Sequence, residues 1–331
     1  MSERIAIVGD GQMGLVLADA LVHRGLPVRL WGPFPEVVKH LAATRENAGR
    51  MPGFRLDQQV HVTAEASELF EGCTMAINAI PSQFIGDVWS RVGQGLPAGC
   101  PIVSVAKGVE NGTLRRPSEI LQATVPSAGA MCALSGPTIA AELAAHQPAL
   151  MVAASDDEPV ANRVQACFDV SWLRIYTSAD LVGVELAGAC KNVIALAAGM
   201  CDGLELGDNA KSAVLARGLA EITRLGVSMG AVAETFYGIA GVGDLATTCF
   251  SPHGRNRSCG EALGRGESLE EYESRTDSVV EGVATSRSVM SLASQYGIEM
   301  PITEAVHAVL FGGLSPGSGV DQLMGRVSRS E

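Results

Sequence analysis

The pattern of apolar and polar positions changes character about halfway along the chain. Residues 4–8 form a short apolar run that ends in Gly9-Asp10-Gly11-Gln12-Met13-Gly14. Helical spacing then carries to about His23, Gly25 supplies a C-terminal stop, and 28–31 reads as the next strand. Apolar runs at 74–80, 102–106, 131–134, 149–154 and 172–176 alternate with helical stretches. Their near-continuous apolar character predicts strands covered on both faces, hence a mostly parallel, doubly wound sheet with right-handed crossovers. Beyond about Ala179 few strand signals remain: 181–200 is apolar almost all round, and 213–226, 231–239, 281–296 and 303–311 keep helical spacing. The expected architecture is an α/β N-terminal domain over 1–178 and an all-α C-terminal domain over 179–331.

Gly9, Gly11 and Gly14 have the spacing G-x-G-x-x-G, directly after one strand and before a helix. That order is what a Rossmann-type dinucleotide unit requires, with pyrophosphate on the free N–H groups of the helix N-terminus. The second strand runs into Gly32-Pro33-Phe34 with no carboxylate at its end to grip a ribose and no Arg for a 2′-phosphate. The choice between NAD and NADP therefore stays open. Ligands of open α/β sheets lie past the carboxyl ends of strands, which singles out Ile80-Pro81-Ser82-Gln83, Lys107-Gly108 and Ser135-Gly136-Pro137-Thr138.

Composition narrows the classes. Hydrophobic residues are 47% and charged residues 18%, enough for a large core and against disorder. A net charge of −12 without any Lys/Arg run disfavours a nucleic-acid surface, so any anionic substrate must be met by a few placed cations. The eight cysteines form no Cys-x-x-Cys pair, and Cys249, His253 and Cys259 lack a fourth ligand and zinc spacing, so no metal site is expected. Met1-Ser2-Glu3-Arg4 leads straight into a strand, and apolar stretches are broken by Gly, Glu or Lys. The expectation is a reduced cytoplasmic protein with no membrane insertion.

Lys191 is the most informative single residue. It lies in Glu185-Leu186-Ala187-Gly188-Ala189-Cys190-Lys191-Asn192-Val193-Ile194-Ala195, where an ammonium is costly unless it reaches water, is paired, or lowers its pKa. Its helical neighbours Ala187, Gly188, Ala195 and Ala198 leave room for a ligand beside the amine. The alternative is a lysine stem covering apolar surface with its head in solvent. Asp244, read in a Gly-rich turn, is placed to orient such a lysine. Arg255 and Asn256 are placed to open a helix whose N-terminus and guanidinium together make a phosphate cradle, the alternative for Arg255 and Arg257 being a solvated pair.

With these segments in hand, the chain closely resembles the bacterial NAD(P)-dependent glycerol-3-phosphate dehydrogenase family over essentially its whole length. The shared motifs are Ala106-Lys107-Gly108, Ser135-Gly136-Pro137-Thr138, Lys191-Asn192-Val193-Ile194-Ala195, Gly207-Asp208-Asn209-Ala210-Lys211, Arg217-Gly218-Leu219-Ala220-Glu221, Gly241-Val242-Gly243-Asp244-Leu245, Arg255-Asn256-Arg257 and Val280-Glu281-Gly282. The resemblance implies reversible hydride transfer between NAD(P)H and dihydroxyacetone phosphate, giving sn-glycerol 3-phosphate for phospholipid synthesis, in a homodimer. It implies Lys191 as the proton donor and acceptor at the substrate C2 oxygen. It further implies substrate contacts from Lys107, Gly136, Thr138, Asn192, Asp244, Arg255 and Asn256, and cofactor contacts from Gln12, Met13, Lys107, Ala140, Arg255, Val279 and Glu281. Two positions depart from the family pattern: Pro33 stands where a basic residue is common near the adenosine ribose, and Gly254 where Ser is common beside the substrate. Two other readings are a two-domain 3-hydroxyacid dehydrogenase, which needs a carboxylate clamp, and a non-catalytic nicotinamide sensor.

Overall fold

The computed structural model describes residues 3–276 and 279–327. The chain divides into two compact units: Met1–Ala106 with Arg115–Leu181, and Lys107–Leu114 with Val182–Glu331. A single cut, as the sequence suggests, makes no provision for the short excursion Lys107–Leu114. Its Val109 is fully buried in the apolar core of the helical unit.

The first unit is an eight-stranded sheet: β1 (Ile5–Val8), β2 (Val28–Trp31), β3 (His61–Thr63), β4 (Met75–Asn78), β5 (Ile102–Ser104), β6 (Met131–Ser135), β7 (Ala149–Ala154) and β8 (Leu173–Ser178). The strand order is β3-β2-β1-β4-β5-β6-β7-β8. All pairs are parallel except β6 and β7, which run antiparallel. Its helices are α1 (Gln12–His23), α2 (Pro35–Thr44), α3 (Ala66–Leu69), α4 (Ile85–Val92), α5 (Pro117–Thr124), α6 (Ala140–Ala144) and α7 (Glu158–Cys167). β1, β4, β5 and β6 are buried at every position, as continuous apolar runs require of a sheet with no solvated face. The order reverses between β1 and β4, the place where doubly wound sheets open a crevice for ligands.

The second unit contains α8 (Leu181–Gly203) from its second residue onward, α9 (Gly207–Ser228), α10 (Asp244–Phe250), α11 (Arg255–Gly264), α12 (Leu269–Ser274), α13 (Glu281–Tyr296), α14 (Pro301–Phe311) and α15 (Pro316–Met324). The helix expected over 231–239 is instead a 3₁₀ turn, Ala233–Tyr237, followed by a π-turn, Ile239–Gly243. Gly241, at φ −92° and ψ −105°, breaks the α-helical run. One expectation about apolar stretches also fails. α8 is long and apolar enough to cross a membrane, with a mean hydropathy of 1.6 over its most apolar window of 18 residues, despite carrying Glu185 and Lys191. Here 94% of that window is buried inside the protein, so it serves as the central core helix. Where α8 meets α11 the backbones touch: a Cβ on Gly260 would stand 2.0 Å from the Leu196 carbonyl oxygen, and one on Gly199 2.0 Å from that of Arg257. Small residues at this crossing set how closely the start of α11 approaches Asn192.

Helix α14 is anchored by a carboxylate from α9. Glu221, 3% exposed, accepts from the N–H groups of Ile302 and Thr303 at 2.7 and 3.3 Å, so it caps a helix far from it in sequence. Burial pushes its carboxyl up to about 7, against the pull of the two N–H groups. Between pH 4.5 and 7 the folded state then holds a proton that the unfolded state releases, so this group's contribution to stability falls as pH rises. The Glu221→Gln protein, which has no such proton to lose, should gain stability relative to the native chain from pH 5 to pH 8, by on the order of 2–3 kcal/mol. Urea unfolding of both proteins at the two pH values measures this. A difference that stays flat or shrinks with pH contradicts it.

Candidate active site

In the first unit, β1 ends at Val8 and α1 starts at Gln12, with Gly11 as an N-cap that offers no side-chain acceptor. A Cβ on Gly14 would stand 1.9 Å from the Gly9 carbonyl oxygen, so only glycine lets the helix pack under the loop. A Cβ on Gly11 would meet nothing within 4 Å. The space over the N-terminus of α1 is therefore open, bounded by backbone, and suited to an anion that the helix dipole attracts. The residues fit the pyrophosphate of a dinucleotide. Gln12 turns its amide to the Arg50 carbonyl oxygen at 2.8 Å, and Met13 packs against the core of this unit. Pro33 is half-buried beside the exposed Phe34.

Asp10 is a residue that motif reading passed over. Its carboxyl lies against Gly32, 2.5 Å from where a Cβ would stand, and thus beside the end of β2. Burial pushes this carboxyl above its ordinary value, with Arg50 pulling it back, and its Oδ2 has no hydrogen-bond partner among the described residues. The carboxyl beside the end of β2 thus comes from the loop after β1, and it is buried. Farther along the same sheet, Thr138 donates to the Gly136 carbonyl oxygen at 3.0 Å, in the loop from β6 to α6, where Ala140 is the first helical residue.

In the helical unit, the central group is an ion cluster. Lys191 Nζ donates to Asp244 Oδ1 at 2.6 Å, and Lys107 Nζ donates to Asp244 Oδ2 at 2.7 Å. Asp244 is 2% exposed at its side chain, Lys191 7% and Lys107 16%. The α8 lysine is therefore not a solvated stem: its amine is buried and paired. Asp244 sits in the first turn of α10, after the π-turn rather than in a loop. A third partner was not signalled by sequence. Thr248, one turn on, donates its hydroxyl to the Asp244 carbonyl oxygen and accepts from Lys191. Burial holds Lys191 well below the ordinary lysine value, at about 8, and Lys107 pushes the same way, while Asp244 opposes both.

A chain of buried amides runs from this cluster to α11. Asn192 donates to the Lys107 carbonyl oxygen at 3.0 Å and accepts from Asn256 at 2.9 Å. Asn256 in turn accepts from the Gly282 N–H at 2.9 Å. Arg255, the first residue of α11, is exposed and donates to the Val279 carbonyl oxygen at 3.1 Å. Gly254 is the N-cap and offers no side chain to the helix. Glu281 opens α13, and burial raises its carboxyl while Arg255, Lys107 and Lys191 pull it down. Arg257 belongs elsewhere: it pairs with Asp202 and, at 3.1 Å, with Glu261, so it is neither solvated nor part of this group.

The expected site residues thus fall into two sets. Gly9, Gly11, Gln12, Met13, Gly14, Pro33, Gly136, Thr138 and Ala140 belong to the sheet unit. Lys107, Lys191, Asn192, Asp244, Gly254, Arg255, Asn256, Val279 and Glu281 belong to the helical unit. Lys107 falls in the second set because the excursion after β5 carries it there.

Known proteins match the chain through both units. Residues 4–161 match the family description "NAD-dependent glycerol-3-phosphate dehydrogenase N-terminus", and residues 180–321 match "NAD-dependent glycerol-3-phosphate dehydrogenase C-terminus". The chain is 43% identical to a glycerol-3-phosphate dehydrogenase [NAD(P)+] of Citrifermentans bemidjiense, covering 100% of this chain and 99% of the relative. It is 44% identical to one of Salinibacter ruber, covering 100% and 97%. A crystal structure of glycerol-3-phosphate dehydrogenase from Coxiella burnetii superposes with a TM-score of 0.94 at 33% identity, covering 98% of this chain and 99% of the other. The chain belongs to the NAD-dependent glycerol-3-phosphate dehydrogenase family.

Proposed function

We propose that the protein reduces dihydroxyacetone phosphate to glycerol 3-phosphate with a nicotinamide cofactor, and catalyses the reverse oxidation, with Lys191 as the acid–base group. The buried Lys191–Asp244–Lys107 cluster is the observation that carries this reading. When bound, the reduced cofactor supplies the hydride for the ketone carbon. The chain's own residues manage the proton and the phosphate. Lys191 donates a proton to the oxygen that gains charge at C2, and takes it back in the oxidation. A pKa of about 8 lets one amine do both near neutral pH. Lys107 shares the carboxylate of Asp244 and adds positive charge where the alkoxide develops. Asn192 and Asn256 tie the backbone of the Lys107 segment to the start of α11, so the proton donor and the phosphate-binding arginine are held in one frame. Arg255 and the uncapped first turn of α11 receive the phosphate dianion.

This reading is tested by following NADH and NADPH oxidation with dihydroxyacetone phosphate, with unphosphorylated dihydroxyacetone and with 3-oxoacids. Turnover with the phosphorylated ketone is expected, and turnover confined to 3-oxoacids overturns the proposal. The chain at the end of β2, Gly32-Pro33-Phe34, supports NADH as the better cofactor, since a 2′-phosphate would find no Arg there. An NADPH dissociation constant equal to or below that of NADH reverses that preference.

Arg255→Met removes charge and donors while keeping length. The native enzyme's preference for the phosphorylated over the unphosphorylated ketone, as a ratio of kcat/KM, should fall by roughly ten- to a hundredfold, since charge-assisted hydrogen bonds contribute about 1.5–3 kcal/mol each. Rates on unphosphorylated dihydroxyacetone should change little. An unchanged ratio removes Arg255 from the phosphate site.

A further inference from the structure

A cluster in the sheet unit is unrelated to the cofactor cradle or the lysine cluster. Asp19 and His23 lie one turn apart near the C-terminal end of α1, and His146 follows α6. His146 Nε2 is 2.9 Å from Asp19 Oδ2, and His23 Nδ1 is 3.5 Å from Asp19 Oδ1. One ligand atom from each of the three residues can be chosen so that all lie within 4.8 Å of one another. Asp19 is 11% exposed at its side chain, while the two imidazoles are 41% and 38% exposed. The carboxylate thus forms a buried floor and the imidazoles form walls open to solvent.

The imidazoles are held by a third aromatic ring. His146 stacks on Trp172 with centroids 3.8 Å apart and planes 16° from parallel. His23 meets both His146 and Trp172 edge-on, at 4.8 and 5.0 Å. His146 also has a left-handed backbone, φ 53°, a conformation uncommon for a residue with a side chain. Its backbone N–H donates to the Leu143 carbonyl oxygen at 3.0 Å, which closes α6 and aims the ring at Asp19.

We propose that Asp19, His23 and His146 bind one divalent first-row transition ion, Zn²⁺ being the probe of choice, with water completing the coordination. Two imidazoles and a carboxylate match this class and not Mg²⁺ or Ca²⁺, which take oxygen ligands. A tetrahedral ion with bonds of roughly 2.0–2.1 Å needs its ligand atoms about 3.3 Å apart. The Asp19–His146 pair already lies inside that distance and the Asp19–His23 pair close to it; closure takes rotation of the exposed rings and release of His23 Nδ1 from the Asp19 backbone carbonyl oxygen, 3.0 Å away. The ion would also lie near the C-terminal end of α1, where the helix dipole favours positive charge. Such an ion clasps α1, whose opposite end carries the dinucleotide cradle, to the loop after α6. The chain has six histidines in all, and among the described residues no other group of three His, Cys, Asp or Glu ligands comes together in this way.

The test is Zn²⁺ binding to untagged full-length protein, by competition with a chromophoric chelator, beside Co²⁺ absorption spectra. The native protein should bind one Zn²⁺ per chain, and Co²⁺ should give visible d–d bands without a near-ultraviolet thiolate band. His146→Phe keeps the stack on Trp172, and His23→Gln keeps a polar group on α1. Each should weaken Zn²⁺ binding by at least roughly tenfold, since even outer partners of metal ligands are worth that much. Both should leave dehydrogenase activity without added metal unchanged. Zn²⁺ should raise the native Tm and not that of the double variant. Equal affinity in the native and double-variant proteins, or a Co²⁺ spectrum with thiolate charge transfer, overturns the proposal. So does the absence of binding at a large molar excess of Zn²⁺.

Discussion

Replacing Lys191 with Ala should lower turnover in both directions by roughly 10²–10⁴-fold, the usual worth of a positioned acid–base group, or about 3–5 kcal/mol of barrier. The loss should lie mainly in kcat, because the proposed function assigns substrate affinity to Arg255 and α11 rather than to the amine. Folding is a lesser concern here than at most buried ion pairs. Asp244 keeps Lys107 as a partner at 2.7 Å, and Lys191→Met, which retains the stem in the core of α8, serves as a second variant. The neighbours Ala187, Gly188, Ala195 and Ala198 leave a gap in the Ala variant into which a small amine fits. Added methylamine should therefore restore part of the rate, with a dependence on the amine's own pKa. In the native enzyme, kcat/KM for ketone reduction should fall above about pH 8 as Lys191 loses its proton, and that for alcohol oxidation should rise through the same pH. A Lys191→Ala enzyme with turnover close to native would remove the assignment altogether.

Much of this arrangement is legible in the chain alone, and the parts that are not share a cause. Apolar runs report burial, so β1, β4, β5 and β6 stand out as sheet interior. Burial carries no direction, however, and the antiparallel pairing of β6 with β7 leaves no mark on either run. β3 escapes because it is three residues long at the sheet edge, with exposed His61 and half-buried Val62. Lys191 is conspicuous because an ammonium in an apolar helix demands an explanation. Its partner is foreseeable as a charge, but the sharing of one carboxylate by two lysines is not. Lys107 and Asp244 stand 137 positions apart, and no local period links them. Asp10 is the counterpart in the sheet unit. Inside a glycine motif its identity is formally free, and only the packing of Gly32 against its carboxyl shows what the position supplies.

Asp244→Asn should reveal how the shared carboxylate governs the amine. The amide keeps an acceptor oxygen and the shape of the side chain, but it leaves two ammonium groups facing a neutral partner in a largely dry site. Breaking a buried charge pair from one side costs about 3–5 kcal/mol, reduced here because Lys107 keeps some access to water. The pH dependence is the sharper signature. In the native protein burial and Lys107 lower the Lys191 pKa while Asp244 raises it, so removing the anion must send it below 8. The alkaline fall of reduction should move toward acid, and at a fixed high pH the rate should drop about tenfold for every whole step of pH that the limb travels. Oxidation, which needs the free amine, should lose less at neutral pH. Stability should follow the same proton: between the lowered folded value and the unfolded value near about 10.4 the unfolded chain holds more protons, so the variant should regain stability as pH rises. A reduction limb that stays at about pH 8 or moves to higher pH in Asp244→Asn, with the protein still folded, means that Asp244 does not set the charge of Lys191.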